Sequence, residues 1–244
     1  MRKDFISVII PVFNEEKRIL PAIRNVSGYL AKHFHGFEII IVDDGSRDNT
    51  IAKVEPLMSN NGSLTLLKNK KNIGKGFSIR RGVLASSGDF ILTTDADLST
   101  PIEEIEKLFY WINNGFDIAI GSRGLKESEI AVRQPWHRET MGKIFNLLVK
   151  AIVIKGIKDT QCGFKLFKSK TAKEIFTKSV INGFSFDVEI LFIATKLGGK
   201  IKEVPIRWLN SPHSSVKIAR DPFIMFTDLF RIRLNYLKGI YRQK

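Results

Sequence analysis

The stretch of residues 90–101 joins a short apolar run to two carboxylates one residue apart, Asp95 and Asp97. Residues i and i+2 of an extended segment point the same way, so both carboxylates can address one ion. Oxygen ligands with spare coordination positions suit Mg²⁺ or Mn²⁺ that also holds a substrate phosphate. Asp-x-Asp is equally typical of a solvated turn, because Asp, Ser, Thr and Pro are turn residues. The rest of the chain has to separate these two interpretations.

Three further polar motifs directly follow apolar, β-branched runs. They are Asn14-Glu15 after residues 5–12, Asp43-Asp44 after residues 37–42, and Ser122-Arg123 after residues 116–121. Such runs, separated by amphipathic segments, are typical of buried parallel strands connected by helices. The carboxyl ends of these strands share one edge of the sheet, where α/β domains bind ligands. The sequence therefore predicts a doubly wound α/β domain with four polar motifs at that edge.

Other segments position these motifs or follow them. Asn14 is a candidate N-cap for a helix at residues 15–32. Residues 124–135 are polar without periodicity, which favours a mobile loop or lid. Pro205 interrupts the apolar segment at residues 201–208, which predicts an edge strand. Basic helices are expected at residues 136–154 and 222–241.

Length and composition narrow the class of protein. The 244 residues, 43% of them hydrophobic, are enough for one large domain with a sizeable core. The single cysteine excludes an internal disulfide, and a reducing, cytoplasmic compartment is expected. No run reaches the roughly 18 apolar residues of a membrane-spanning helix, and residues 2–4 are charged where a signal peptide would be apolar.

The net charge of +14 is unevenly placed. Residues 1–132 contain 17 basic and 17 acidic side chains, whereas residues 133–244 contain 22 basic and 8 acidic ones. A neutral first part and a basic second part indicate that the second part meets something anionic. A membrane surface, a lipid phosphate and a nucleic acid all remain candidates, beside a general role in solubility.

Taken together, the motifs resemble those of glycosyltransferase family 2. The segments that carry the resemblance are SVIIPVFNEE (7–16), IIIVDDGSRDNT (39–50), NIGKG (72–76), TTDADLSTP (93–101), IGSR (120–123), DTQCGFKLF (159–167), FDVE (186–189) and KEVPIRW (202–208). The pattern is most similar to the dolichyl-phosphate β-glucosyltransferases and more distantly similar to the dolichyl-phosphate mannose synthases. Each motif alone is weak, but together they are specific and span nearly the whole domain.

The resemblance implies an inverting enzyme with the GT-A fold, a Rossmann-like mixed sheet flanked by helices. It divides the chain into a catalytic domain at residues 1–215 and a basic amphipathic segment at residues 216–244. Within the domain, residues 1–123 would bind the nucleotide-sugar and residues 124–215 the acceptor. The implied substrates are UDP-glucose and a polyprenyl phosphate, and the implied cofactor is Mg²⁺ or Mn²⁺.

The resemblance also assigns roles to individual residues. Those expected to contact the nucleotide-sugar are Pro11, Phe13, Glu15, Val42, Asp43, Asp44, Lys75, Gly76, Asp95, Ala96, Asp97 and Arg123. Asp44 would accept a hydrogen bond from the uracil imide, and Gly74 and Gly76 would let the backbone approach the ligand. Asp97 is the first metal ligand, with Asp95 beside it and Ser99 as a weaker neighbour.

Arg123, Arg138 and Lys217 are expected to bind phosphates, since guanidinium groups recognise them in a bidentate manner. A lipid phosphate has a second pKa near about 6, so it is nucleophilic at neutral pH without a general base. Asp187 is the best candidate for a base or for holding sugar hydroxyls. Capping a helix or forming a structural ion pair would explain Asp187 as well.

The C-terminal helix mixes apolar residues with Arg231, Arg233 and Lys238, as a helix on an anionic membrane surface does. The expected location is the cytosolic face of a membrane, reached through the basic part of the chain or through a membrane-anchored partner. Packing of this helix on the domain or on the second copy of a homodimer is the alternative. A GDP-mannose-dependent mannosyltransferase and an inactive scaffold would share most of these motifs. A nucleic-acid-binding module is disfavoured, because the aromatic residues do not interleave with Lys and Arg, and no nucleic-acid partner is expected.

Overall fold

The computed structural model describes residues 5–59, 62–132, 136–209 and 220–242, with the side chains of residues 136–138 excepted. The strands are β1 (Ile6–Val12), β2 (Phe37–Asp43), β3 (Leu64–Lys68), β4 (Phe90–Thr93), β5 (Ile118–Ser122), β6 (Glu129–Val132), β7 (Lys165–Lys168), β8 (Ile201–Pro205) and β9 (Arg207–Leu209). The α-helices are α1 (Ile19–His33), α2 (Thr50–Met58), α3 (Lys75–Ala85), α4 (Ile105–Asn113), α5 (Trp136–Ile152), α6 (Ser169–Lys178), α7 (Phe186–Lys196) and α8 (Asp221–Leu237). Strands and helices alternate through the first half, as predicted.

Seven strands form one mixed sheet in the order β3-β2-β1-β4-β7-β5-β8. β1 pairs in parallel with β2 and β4, β2 pairs in parallel with β3, and β5 pairs in parallel with β8. β7 runs antiparallel between β4 and β5. Consequently β1, β2, β4 and β5 point the same way, and their ends form one side of the sheet, called here the carboxyl edge. The doubly wound mixed sheet is confirmed.

Both faces of the sheet are covered, which explains why its strands are continuously apolar. Along β1, Ile6, Val8 and Ile10 face the core that holds α1, α2 and α4. Ile9 faces the opposite core, built with α3, α5, α6, α7 and α8. These four side chains of β1 are fully buried, and the burial of each stabilises the fold by about 1.5–3 kcal/mol relative to exposure. Two cores clamp the sheet, so the strand ends are fixed relative to one another.

The first helix begins later than predicted. Asn14 has a positive φ of 55° and does not cap α1. Its backbone N–H donates to Ser46 Oγ (2.9 Å), and its own Oδ1 accepts from the Arg47 N–H (2.8 Å). The loops after β1 and β2 are therefore bound to each other, and α1 starts at Ile19.

The segment at residues 124–135, expected to be a mobile loop or lid, contains a strand, and residues 133–135 lie outside the described residues. Residues 129–132 form β6, which pairs in parallel with β9 in a separate two-stranded sheet. Every residue of β6 is exposed, so no apolar alternation marked it in the sequence. Of the edge strand predicted at residues 201–208, the first part is confirmed as β8 at the end of the main sheet, whereas β9 belongs to the smaller sheet. β7 and β8 come from the second half of the domain, so both halves build one sheet.

Helix α6 was not anticipated from the sequence. It buries Ala172, Ile175 and Phe176 and exposes a polar face. No helix within the described ranges is long and apolar enough to cross a bilayer.

Candidate active site

The two acidic residues after β4 lie side by side at the carboxyl edge. Asp95 and Asp97 are half-buried, whereas Ala96 between them is 4% exposed and packs into the core. Asp97 Oδ1 accepts a hydrogen bond from the Ser99 N–H (2.9 Å) across a turn in which Leu98 has a φ of 47°. Residues 96–97 therefore form a turn and not the extended segment assumed from the spacing, and a shared ion stays a prediction.

Asp95 lies among cations. Its Oδ1 pairs with Lys75 Nζ at 2.6 Å. Burial alone would raise the pKa of Asp95, but the charges of Lys75, Lys165 and Arg123 outweigh that and lower the pKa. A Cβ at Gly163 would lie 2.4 Å from Asp95 Oδ2, so only glycine permits this approach of the 163 backbone. Asp95 is therefore held as an anion in a fixed place.

Lys75 is the first residue of α3 and reaches Asp95 from that position. Burial lowers the pKa of Lys75, but the nearby charges of Asp95, Asp187 and Asp97 raise it above its ordinary value. Lys75 therefore stays charged beside three carboxylates.

The glycines around Lys75 have a steric role in addition to the one expected. Cβ atoms at Gly74 and Gly76 would lie 2.3 Å from Asn182 O and 2.6 Å from Ile181 O. These glycines admit the backbone of residues 181–182, and the structure gives this as their steric role.

Asp43, the last residue of β2, and Asp44, which follows it, are both buried and differ in their hydrogen-bond partners. Asp44 accepts from Asn69 Nδ2 (2.8 Å), the Ile73 N–H (3.0 Å) and the Gly74 N–H (2.8 Å). Asp43 Oδ2 accepts from the N–H groups of Gly45 and Ser46. Asp43 Oδ1 is buried and has no hydrogen-bond donor among the described residues. A buried acceptor left open is costly, so Asp43 Oδ1 is a candidate contact for a donor group on a ligand.

The neighbouring β1 residues complete this end of the edge. Pro11 lies opposite Val42 in the parallel register, and Phe13 is half-buried just beyond the strand. Glu15 pairs with Arg18 at 2.6 Å. Burial raises the pKa of Glu15, the hydrogen bond and charge of Arg18 oppose the rise, and the charges of Asp97 and Asp95 add to it. Glu15 therefore shares the electrostatic field of the β4 carboxylates.

Arg123 extends the site from the end of β5. Its Nε and Nη2 donate to Asp159 Oδ2 (2.7 Å) and Oδ1 (2.9 Å), and Trp208 lies under its guanidinium, 5.5 Å from the ring centroid. Burial alone would raise the pKa of Asp159, but the charge and hydrogen bonds of Arg123 lower it to about 2. Arg123 Nη1 donates to no described residue, so it can bind an anion.

Glu203 on β8 fixes the partner of Arg123. Its carboxylate accepts from the N–H groups of Lys158 (2.8 Å) and Asp159 (2.9 Å) and from Ser122 Oγ (2.8 Å). The orientation of Asp159, and through it that of Arg123, is therefore set by the edge strand.

A buried ion pair of Lys165 and Asp187 lies behind Asp95. Lys165 is fully buried and donates to Asp187 and to the Cys162 carbonyl. Burial raises the pKa of Asp187, against the lowering effect of the Lys165 and Lys75 charges, and Asp95 raises it further. The structure brings Asp187 into the site, while its role as a base remains a prediction.

The carboxylates present form an open rather than a closed metal site. Within the described ranges, no three acidic, histidine or cysteine side chains are grouped tightly enough to hold an ion by themselves. Two adjacent carboxylates with open positions nevertheless fit a Mg²⁺ or Mn²⁺ ion whose other ligands are substrate phosphate and water. The donor set is therefore compatible with the expected cofactor.

Two expected phosphate ligands fall outside this description. The backbone of Arg138 belongs to α5, but its side chain lies outside the described residues, as does all of Lys217. Sequence reasoning missed the roles of Asp159, Lys165 and Asn69. Asp159 and Lys165 both occur in the DTQCGFKLF motif, which was the available signal.

The family model for glycosyl transferase family 2 matches residues 7–176. The dolichyl-phosphate β-glucosyltransferase of Dictyostelium discoideum is 36% identical over 98% of this chain and 77% of its own length. The protein of the same name from Saccharomyces cerevisiae is 37% identical, with the same two coverages.

Solved structures with the same fold are more distant in sequence. Glucosyl-3-phosphoglycerate synthase from Mycobacterium tuberculosis, in complex with Mn²⁺, UDP-glucose and phosphoglyceric acid, has a TM-score of 0.66 at 16% identity, over 95% of this chain and 79% of its own. Mannosyl-3-phosphoglycerate synthase from Rubrobacter xylanophilus has a TM-score of 0.68 at 18% identity, over 99% and 76%. At such identities the likeness establishes the fold alone.

Proposed function

The chain belongs to glycosyltransferase family 2, and from this premise we propose that it transfers glucose from UDP-glucose to a dolichyl-type polyprenyl phosphate with inversion. One observation carries the proposal: Asp95, which follows β4 two residues before Asp97, pairs with Lys75 and also feels the charge of Arg123. That arrangement offers cations for phosphates next to carboxylates for a divalent ion. The names of the curated relatives supply the lipid acceptor and the sugar.

In this proposal the ends of β1 and β2 bind the nucleotide. The residues that contact it are Pro11, Phe13, Glu15, Val42, Asp43 and Asp44. Asp43 Oδ1 takes a hydrogen bond from the base or the ribose, which satisfies an acceptor that the described residues leave open. Asp44 uses most of its acceptor capacity to hold the loop before Lys75, so it shapes the pocket as well as lining it.

Asp97, with Asp95 beside it, would hold the Mg²⁺ or Mn²⁺ ion. When bound, such an ion stabilises the negative charge that develops on a departing diphosphate. Lys75 and Arg123 add positive charge near Asp95, and their ion pairs with Asp95 and Asp159 hold them in place before the substrate arrives. Preorganised charges of this kind need no rearrangement during the reaction.

The acceptor phosphate attacks C1 of glucose. A new C1–O bond forms to the lipid phosphate while the bond from C1 to the UDP oxygen breaks, and UDP leaves. The second pKa of such a phosphate is near about 6, so the attacking oxygen carries no proton at neutral pH. Arg123 Nη1 orients this phosphate, together with Arg138 and Lys217. Catalysis then rests on positioning and charge more than on a general base.

The lipid acceptor lies in a bilayer, and exposed side chains of α5 and α8 form the surface that contacts this bilayer. This α5–α8 face consists of exposed apolar side chains: Ile144, Leu147, Phe223, Phe230, Leu234 and Leu237. Arg231 and Arg233 on α8, and Lys238 directly after it, are exposed around this face. Apolar side chains ringed by cations suit an anionic bilayer, with each charge worth about 1 kcal/mol near the surface. We place the protein peripherally on a cytosolic membrane face, with residues 124–215 on the acceptor side.

A donor panel tests the proposal. The full chain is incubated with Mn²⁺, a short polyprenyl phosphate and either UDP-glucose or GDP-mannose, and the product anomer is determined by NMR. We expect a β-linked glucosyl lipid phosphate from UDP-glucose alone. Saturable turnover of GDP-mannose instead would show that GDP-mannose, and not UDP-glucose, is the donor. Salt-sensitive nucleic-acid binding without any sugar transfer would overturn the enzyme proposal.

A further inference from the structure

Glu189 on α7 is a fully buried carboxylate that the proposed reaction does not use. Both of its oxygens accept from the Val180 N–H (3.1 Å), and Oε2 also accepts from the Ile181 N–H (2.9 Å). Oε1 accepts in addition from the Tyr241 hydroxyl (2.8 Å). A buried carboxylate is tolerated only where donors surround it, so these groups fix the segment at residues 180–181.

That segment contacts the N-terminal part of α3. The Phe77 N–H donates to Asn182 O (3.2 Å), and Arg80 donates to Ser179 O and Asn182 Oδ1 (both 3.0 Å). Gly76 lies so close to this backbone that a Cβ would be 2.6 Å from Ile181 O. Residues 179–183 therefore determine where α3 begins, and Lys75, the residue that pairs with Asp95, is its first residue.

The other end of the connection belongs to the C-terminal helix. Tyr241 follows α8 in a short 3₁₀ helix and is 4% exposed. Its hydroxyl accepts from Asn235 Nδ2 of α8 at 3.3 Å. Tyr241 therefore connects α8, which carries part of the α5–α8 face, to Glu189, the carboxylate that binds the backbone of residues 180–181.

We propose that Glu189 is a positioning residue for the donor site, and that Tyr241 couples the C-terminal helix to it. The path runs from Tyr241 to Glu189, to the backbone of residues 180–182, to the start of α3 and so to the Lys75–Asp95 pair. Its catalytic consequence rests on the proposed function, because only a nucleotide-sugar enzyme needs Lys75 in place. The coupling itself depends only on the contacts.

Tyr241→Phe in the full chain tests the coupling, since it removes one donor from Glu189 and keeps the ring. Amide hydrogen exchange is measured at residues 180–181 and at residues 73–77. Loss of one hydrogen bond is expected to accelerate exchange by about three- to tenfold at both segments. Unchanged exchange at residues 73–77 would overturn the proposal, whatever the enzyme acts on.

Tyr29→Phe is the matched control. The Tyr29 hydroxyl donates to Glu106 Oε1 at 2.7 Å, between α1 and α4 on the opposite face of the sheet. Its loss should leave exchange at residues 73–77 as in wild type. Equal acceleration by both variants would contradict a specific path and indicate general loosening.

Kinetics give a second readout. Tyr241→Phe should raise KM for UDP-glucose by about three- to tenfold, with any fall in kcat no larger than that, because Lys75 meets the diphosphate both in the bound donor and as it departs. Glu189→Gln, which keeps one acceptor oxygen, should retain more donor affinity than Glu189→Ala. A fall in kcat alone would overturn the positioning role. If wild type binds no UDP-glucose, the proposed function fails, and the exchange experiment still decides the coupling.

Discussion

The carboxyl edge and the α5–α8 face differ in how their side chains are held. At the edge, Asp44 accepts three hydrogen bonds, and Asp159 and Arg123 form a bidentate pair. On the face, Leu147, Phe223 and Leu237 are 68%, 71% and 76% exposed. One region is a set of fixed charges, and the other is an apolar surface without a cover among the described residues.

This difference separates two tasks. Fixed charges lower the cost of organising a site around a diphosphate, so the edge suits chemistry. Exposed apolar side chains gain free energy only when something covers them, so the face suits docking. Changes at the edge should therefore abolish turnover and spare membrane binding, whereas changes on the face should do the reverse.

The largest effect is expected at Asp97. Asp97→Ala removes the proposed metal ligand and should lower kcat/KM by about a thousandfold, while vesicle binding stays at the wild-type level. Asp89→Ala is the control, because Asp89 is an exposed aspartate at the opposite end of β4. Turnover is measured with UDP-glucose and Mn²⁺. Comparable losses in both variants would assign the effect to the strand and not to the site.

Arg123→Lys should have the next largest effect. Lysine cannot reproduce the two parallel hydrogen bonds to Asp159 and still offer a third donor to phosphate, so kcat/KM should fall about a hundredfold. Arg24→Lys, at an exposed position on α1, should be neutral. Wild-type turnover by Arg123→Lys would mean that the guanidinium fork is not needed.

The same pair makes the stability of the edge depend on pH. Burial alone would raise the pKa of Asp159, but the charge and hydrogen bonds of Arg123 lower it from its ordinary value of 3.8 to about 2. A lowered carboxyl pKa stabilises the folded state above the unfolded pKa and ceases to do so as pH falls through the folded pKa. The free energy of unfolding should therefore lose about 2 kcal/mol from this group between about pH 5 and pH 2.

Urea unfolding of wild type and Asp159→Asn checks this. The difference between their free energies of unfolding should shrink by that amount as the pH falls. A difference that does not vary with pH would show that Arg123 does not perturb Asp159.

The smallest effect is expected on the face. Leu237→Ser removes one 76% exposed apolar side chain and should weaken binding to anionic vesicles about tenfold, with UDP affinity unchanged. Leu84→Ser is the control, because Leu84 is 45% exposed on α3, away from α8. Cosedimentation gives the affinity. A dimer that dissociates in Leu237→Ser, with vesicle binding intact, would identify a second copy as the cover.

Much of the fold followed from local sequence signals. The parallel strands of the main sheet are buried on both faces, so their apolar runs were plain, and the acids that follow them marked the carboxyl edge. Helix α6 and strand β6 escaped, because a ten-residue helix buries only three side chains and a four-residue exposed strand buries none. Short or exposed elements depend on tertiary pairing that the sequence pattern does not record.

The site was predicted less completely than the fold. Acids and bases at strand ends could be named, but their partners come from distant segments: Asp159 lies 36 residues from Arg123, and Lys165 lies 22 residues from Asp187. The glycines of NIGKG were expected to admit a ligand, and the sequence did not indicate that the backbone near residue 182 also requires them. Residue types at a spacing indicate chemistry, but only the fold shows which neighbours satisfy them.

The central claim is that the carboxyl edge holds a divalent ion together with the diphosphate of the donor. Calorimetric titration of the full chain with UDP, with and without Mn²⁺, tests it directly when repeated for Asp97→Asn. We predict that Mn²⁺ strengthens UDP binding to wild type by at least about tenfold and has no effect in the variant. An equal Mn²⁺ effect in both proteins would contradict the assignment of the ion to Asp97.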